Sequence, residues 1–349
     1  MRCKNTSVIL IIVTTSIMLS SISGSSFKIN SLNSVKNEND YFYFVQITDT
    51  HVMNKQFDKY EEYKQNFMRA LEEINSFKIK PAFVTITGDL VEWGGSDTTG
   101  ASNYKTLMSC IYQKDDQLFA DSGLTIPIYT TPGNHDYMWE NSLKNYKNYI
   151  KSETRYIIEL GDVSLFFIDS GSNYYLEPWD WARVLGTGLF DEDITWLEEK
   201  LGTSQSNKKI VLMHHPAVND RDKLGVMVDV IARNRENFIY LCKKHNVDLV
   251  LAGHTHRSVV YDSDENTYET YPIYCNDHST LFVQTDDCKQ DVNYRNISIC
   301  DGDIIVHDCI NIDFKPVRKN NLLCKNNIIL NSYILKNIIL SKLYRRTPI

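Results

Sequence analysis

Five short apolar runs in this sequence each end directly in a polar cluster, and that repetition constrains the fold more than any other feature. The clusters are Asp49-Thr50-His51 after Phe44–Thr48, Gly88-Asp89 after Phe83–Thr87, Gly133-Asn134-His135-Asp136 after Ile126–Thr131, His214-His215-Pro216 after Ile210–Met213, and Gly253-His254-Thr255-His256 after Leu249–Ala252. Short runs of β-branched and aromatic residues bounded by Gly, Pro or Asp read as strands, and Pro132 cannot carry the third run further. In a parallel sheet the strand C-termini lie along one edge, where open α/β folds place their sites. A single parallel sheet would bring all five clusters to one place. Taken singly they are bland: Gly88-Asp89 is a common turn, and the Gly133 motif is a turn whose glycine permits the bend.

The rest of the chain supplies the crossovers. Tyr60, Tyr63, Phe67, Leu71 and Ile74 recur at helical spacing, so 57–77 reads as an amphipathic helix between two strands, a right-handed βαβ unit. Residues 93–102 read as a loop, and helices are expected near 103–119, 139–150 and 228–244. Another follows from Phe190, Ile194, Leu197 and Leu201, and a hairpin turns at Gly161-Asp162. From 258 the pattern becomes short β segments without helices. The expectation is one α/β domain over residues 41–312 with a β-rich close.

A chain of 349 residues that is 42% hydrophobic can bury a substantial core. Its formal net charge is −7, although residues 315–349 hold eight lysines and arginines and no acid. The body is therefore more acidic than the whole, which argues against a nucleic-acid partner and suits a site that collects cations. Arg2 and Lys4, the apolar stretch Val8–Leu19 and the small residues Ser20–Ser26 predict a signal peptide over about residues 1–24, hence a secreted or extracytoplasmic protein. An uncleaved N-terminal anchor is the alternative, although the stretch is shorter than the ~20 residues of a spanning helix. The basic tail 315–349 has apolar triplets at no helical period; a membrane-surface helix is its sharper reading, an incidental tail the simpler one. Cysteines 275, 288, 300 and 309 permit one or two disulfides in an oxidising compartment, and Asn296-Ile297-Ser298 is a glycosylation sequon.

The ligand types point to metal chemistry. Aspartate oxygens and imidazole nitrogens suit divalent transition metals. Two Asp, one Asn and four His exceed what one tetrahedral zinc uses and match two ions sharing a carboxylate. The i, i+2 spacing in Asp-x-His and His-x-His puts both side chains of an extended segment on one face.

On these blocks, over about residues 42–310, the sequence resembles the calcineurin-like metallophosphoesterases, whose order is D-x-H, G-D, G-N-H-D/E, H and G-H-x-H. The resemblance implies a four-layered α/β sandwich with two mixed β-sheets. It implies two divalent ions (Mn, Fe, Zn or Co): Asp49, His51 and His256 on the first, Asn134, His214 and His254 on the second, and Asp89 bridging. His214 is preferred over His215 because the family ligand lies two residues before proline. His135 would face the substrate as acid or transition-state stabiliser, with Asp136 orienting it. The implied reaction is two-metal hydrolysis of a small phosphate ester. The family's purple acid phosphatases carry a tyrosine three residues after the second-block aspartate. Glu92 stands there instead, so no tyrosinate iron site is expected. A nucleotide or cyclic-nucleotide phosphodiesterase is the alternative within this chemistry, and a catalytically silent binding module the alternative outside it. Trp93, Tyr137, Trp139, Tyr174, Tyr175, Trp179 and Trp181 lie near predicted loops, where rings stack on substrates or, more simply, pack.

Overall fold

The apolar runs become strands because their alternate side chains enter two different cores. In β2 (Phe42–Ile47), Tyr43, Val45 and Ile47 join one cluster and Phe44 joins another. In β7 (Lys208–Leu212) and β8 (Leu249–Ala252), Ile210, Leu212, Leu249 and Leu251 share that second cluster, whereas Val211 and Val250 enter a third. The computed structural model describes residues 27–28, 41–54, 58–112, 124–138, 142–171, 188–220, 230–277 and 279–312.

The remaining strands are β1 (Phe27–Lys28), β3 (Val84–Thr87), β4 (Ile128–Thr131), β5 (Tyr156–Leu160), β6 (Val163–Phe167), β9 (Val259–Tyr261), β10 (Thr267–Tyr268), β11 (Ile273–Tyr274), β12 (Leu281–Gln284), β13 (Val292–Cys300) and β14 (Asp303–Ile312). The helices are α1 (Asp58–Ser76), α2 (Thr98–Tyr112), α3 (Asn134–Tyr137), α4 (Lys144–Tyr149), α5 (Asp191–Thr203) and α6 (Arg235–Lys244). Among the described residues one sheet has the order β11-β14-β13-β2-β3-β4 and the other β1-β5-β6-β7-β8-β12-β9-β10. Both are mixed: β2-β3-β4 and β6-β7-β8-β12 run parallel, while β13 pairs antiparallel with β2 and β14, and β9 with β12.

The clusters define four layers. Phe67, Leu71, Tyr104 and Leu107 of α1 and α2 cover the outer face of the first sheet. The two sheets meet over Phe44, Phe83, Leu165, Ile210, Leu249, Val283 and Ile297. Leu197, Leu201, Phe238 and Cys242 of α5 and α6 cover the outer face of the second. This is the four-layered sandwich of two mixed sheets that the family resemblance implies.

A polar seam crosses the apolar middle. Gln46 on β2 donates to the carbonyl of Ala252 on β8 at 3.0 Å and accepts from Thr285 Oγ1 at 2.7 Å. Arg295 on β13, wholly buried, donates to Thr285 Oγ1, Ser258 Oγ and the carbonyls of His307 and Gln284. Buried polar groups of this kind persist only when partnered.

Several expectations need correction. The five clusters do not leave one parallel sheet: the first three leave β2, β3 and β4, and the last two leave β7 and β8 of the other sheet. The segment 93–102 is only partly a loop, because Asp97 Oδ1 accepts the Gly100 amide at 2.8 Å and starts α2 at Thr98. The helix expected over 228–244 begins at Arg235, since Ile231 N bonds to Pro216 O and Arg233 bridges Gly188. Asn296 is 2% exposed in β13 between two neighbouring strands, which leaves no room for a glycan. No described cysteine is in a disulfide. No helix among the described residues is long and apolar enough to cross a membrane. The expected signal peptide 1–24, the tail 315–349 and Trp139, Tyr174, Tyr175, Trp179 and Trp181 lie outside the described residues. Tyr137 is buried against Asp169 rather than offered to a ligand.

Candidate functional site

The two groups of strand ends face each other across the seam. The loops after β2 and β3 are zipped together by Asp49 N to Gly88 O at 3.1 Å, His51 N to Asp89 O at 3.0 Å and Val52 N to Leu90 O at 3.1 Å. Across the sheets, His254 N donates to Asp49 Oδ2 at 2.9 Å. The backbone is held in an unusual state here: Asp49, His51, Asp89, His254 and His256 all have positive φ, between 45° and 68°. Non-glycine residues rarely occupy this region, and each costs about 1 kcal/mol or more, so the surrounding bonds must enforce it.

Gly133 is required by space and not by a bend. Its φ of −118° and ψ of −177° suit any residue. A Cβ there, however, would lie 2.3 Å from Asp89 Oδ1 and 2.8 Å from His214 Cδ2. The motif itself is not a plain loop but the helical turn α3.

All seven residues expected to ligate metal lie together. Asp49 Oδ1 is 3.2 Å from His256 Nε2 and 3.7 Å from His51 Nε2. Asp89 Oδ2 is 3.5 Å from His51 Nε2 and 3.3 Å from His214 Nε2, and so stands between the two sets. Asn134 Oδ1 is 3.2 Å from His214 Nε2. The rings of His214 and His254 have centroids 5.1 Å apart. Potential ligand atoms lie within 4.8 Å of one another in Asp49–His51–His256, in Asp49–Asp89–His214, in His214–His215–His254 and in His51–Asp89–His135.

Neighbours fix which nitrogen faces inward. His214 Nδ1 donates to Thr87 O at 2.8 Å, and His51 Nδ1 meets Glu92 Oε2 at 2.7 Å, leaving Nε2 toward the aspartates in each. Such outer partners orient metal-binding imidazoles. Ser170 Oγ accepts the amides of both His214 and His215, which leaves its own proton for His215 Nδ1 at 3.2 Å. His215 Nε2 then donates to Asn134 Oδ1 at 3.1 Å and holds the amide oxygen in place.

The site is electrostatically primed for cations. Burial opposes ionisation of Asp49 and Asp89, yet His214 and the other facing imidazoles outweigh it and hold both carboxyls well below their usual range. Burial likewise opposes charge on His51 and His214. Asp49 and Glu92 for His51, and Asp89 and Asp49 for His214, overcome it and raise each to about 9. Burial and the charge of His214 push His254 down to about 3. Ionised carboxylates, imidazole nitrogens and one amide oxygen form a donor set that fits divalent ions.

His135 sits at the rim, its side chain 29% exposed, with Nδ1 bonded to Glu92 O at 2.9 Å. Its backbone amide donates to Asp89 Oδ1 at 2.8 Å. Asp136 does not orient it. The Asp136 carboxylate accepts from Gly133 N, Leu90 N and Tyr104 Oη, so it braces the loops from beneath. Burial and the Asp89 charge raise it to about 7.

Sequence reasoning missed the structural part of Glu92, read only as a missing tyrosine, and it missed Lys289. The signal for Lys289 was present: Asp286-Asp287-Cys288-Lys289 follows β12, a sixth strand whose end points the same way as β8.

Comparison with known proteins shows the family. A family model described as calcineurin-like phosphoesterase matches residues 42–258. A protein of Arcobacter nitrofigilis named "Probable glycerophosphodiester phosphodiesterase GpdQ" is 28% identical over 224 residues, 61% of this chain and 71% of that one. One of Coxiella burnetii named "Probable cyclic nucleotide phosphodiesterase" is 22% identical over 240 residues, 68% of this chain and 85% of that one. The purple acid phosphatase from yellow lupin (Lupinus luteus) seeds shares the fold at a TM-score of 0.52 and 13% identity, over 82% of this chain and 58% of that one. The chain belongs to the calcineurin-like phosphoesterase family and is a metal-dependent phosphoric ester hydrolase.

Proposed function

We propose that the protein hydrolyses small phosphodiesters with two divalent ions held between its two sheets. The observation that carries this is the position of Asp89 Oδ2, 3.5 Å from His51 Nε2 and 3.3 Å from His214 Nε2. In this reading Asp49, His51 and His256 hold one ion, Asn134, His214 and His254 hold the other, and Asp89 is shared. When bound, such ions lower the pKa of water and neutralise charge on phosphoryl oxygens. In this reading His135 donates Nδ1–H to Glu92 O and, in the form that also carries a proton on Nε2, gives that second proton to the leaving oxygen. Glu92 and Thr87 O hold His51 and His214 in the tautomers that ligation needs. A diester is preferred to a monoester because the named activities of the relatives concern diesters. Export through the N-terminal segment is part of the proposal, supported by the sequence of residues 1–26.

The test is hydrolysis of bis(4-nitrophenyl) phosphate and 4-nitrophenyl phosphate with Mn²⁺, Zn²⁺, Co²⁺ or Fe²⁺ added to the mature protein. We expect faster turnover of the diester, loss of activity on chelation, and loss of activity with reduced metal content in Asp89→Ala. Activity that survives chelation would sink the two-ion reading.

A further inference from the structure

Lys289 lies in the loop between β12 and β13, and its backbone is fixed on all sides. Its amide donates to Asp287 Oδ1 at 3.1 Å, its carbonyl accepts from Asn66 Nδ2 at 2.9 Å, and the preceding Cys288 amide donates to Thr48 O at 3.0 Å. The last bond ties this loop to the residue before Asp49. The side chain is thereby aimed into the site. Nζ lies 3.2 Å from His51 Nε2 and 3.3 Å from His256 Nε2.

Those are the two nitrogens assigned to one of the ions. An ammonium has three donors and no acceptor. A cation on His51 and His256 claims both Nε2 atoms, so Lys289 is left with its charge and no acceptor in that direction. Asp49, Asp89 and Glu92 surround His51, and Asp49 and Asp287 flank His256. An incoming phosphate ester therefore meets negative charge wherever a cation does not mask it. Half-buried at this rim, Lys289 is the point charge placed to receive it.

We propose that Lys289 is the anion-binding residue of the site, donating from Nζ to a non-bridging phosphoryl oxygen once His51 and His256 are committed to a cation. The proposal rests on the two-ion reading above. It makes two predictions of opposite sign. Removing the ammonium weakens the hold on phosphate, and it also relieves the repulsion between Nζ and the ion, so metal binding strengthens. A lysine that merely supports the loop gives the reverse for metal.

The test compares wild type, Lys289→Gln and Lys289→Arg by calorimetry, first titrating Mn²⁺ into metal-free protein and then inorganic phosphate into the Mn²⁺-loaded form. Loss of one charge-assisted hydrogen bond predicts roughly tenfold or more weaker phosphate binding in K289Q. Mn²⁺ binding should be as tight or tighter there, and K289R should recover most of the phosphate affinity. With bis(4-nitrophenyl) phosphate the change in K289Q should fall mainly on KM. Equal phosphate affinity in wild type and K289Q, or weaker Mn²⁺ binding in K289Q, overturns the proposal. Wild type without metal-dependent hydrolysis overturns the two-ion reading instead, and the phosphate titration still decides the part played by Lys289.

Discussion

Replacing Gly133 by alanine adds one methyl group and should disable the site. The backbone at 133 is extended, with φ −118° and ψ −177°, so alanine brings no conformational penalty of its own. The effect is then purely steric. The new Cβ would stand 2.3 Å from Asp89 Oδ1, 2.4 Å from Asp89 N and 2.8 Å from His214 Cδ2. Restoring ordinary contact requires these groups to retreat by about 1 Å. Asp89 cannot rotate clear, because its backbone nitrogen is itself one of the clashing atoms, and the His214 ring is held by its bond to Thr87 O. Overpacking of this kind costs about 1–3 kcal/mol of stability. A shift of about 1 Å in catalytic geometry can cost roughly 10²-fold in turnover. Metal content by elemental analysis, turnover of an aryl phosphodiester and denaturant midpoints should be measured together. Gly202→Ala in α5 is the control, since its Cβ meets only His245 Cε1 at 3.4 Å; it should stabilise the protein by about 0.5–1 kcal/mol. A Gly133→Ala protein with full metal and turnover within twofold of wild type would refute the steric argument.

Two further predictions follow from the electrostatics and the seam. His51 and His214, each raised to about 9, carry protons at neutral pH, and ligation requires them neutral. Metal uptake at pH 7.5 should release about two protons per chain into weakly buffered dye solution, none of them from His254. A raised pKa means that the competing proton is fully bound below it, so metal affinity should fall as pH is lowered, about tenfold per unit for each displaced proton. Uptake without proton release, or affinity independent of pH between 6 and 8, would contradict the assignment. Arg295→Met should leave the acceptors at Ser258, Thr285 and His307 unpaired inside the sandwich and cost about 3 kcal/mol in denaturant unfolding; a loss below about 1 kcal/mol would show that the seam is not structural.

The parts of the molecule legible in the sequence were those governed by local pattern. Tyr43 to Ile47 alternate because two cores lie on either side, and Tyr60 to Ile74 repeat at helical spacing because α1 buries one face. His51 could be picked out because its partner Asp49 is two residues away, and His256 because it repeats the same i, i+2 spacing after His254. What could not be read were relations set by tertiary contact. Nothing local says that β4 and β7 belong to different sheets, since each is a short apolar run. Glu92 and Lys289 reach His51 from 41 and 238 residues away, and only the folded chain shows it. Asp136 was misread for the same reason. The resemblance paired it with His135, but the helical turn sends the carboxylate inward to Tyr104 while the imidazole lies at the rim.

The left-handed backbone at Asp49, His51, Asp89, His254 and His256 sets a limit on how far this protein can be improved. Glycine adopts that conformation at no steric cost, so glycine at any of these five positions would relieve local strain. Each such exchange would also delete a side chain that faces the site. The easiest local gains in stability therefore coincide with the positions where chemistry forbids change. Selection for thermal robustness must act elsewhere, on α1, α2, α5 and α6, while the strand ends stay under tension. The stability of the sandwich and the readiness of its site draw on the same free energy, and a variant evolved for one should be assayed for the other.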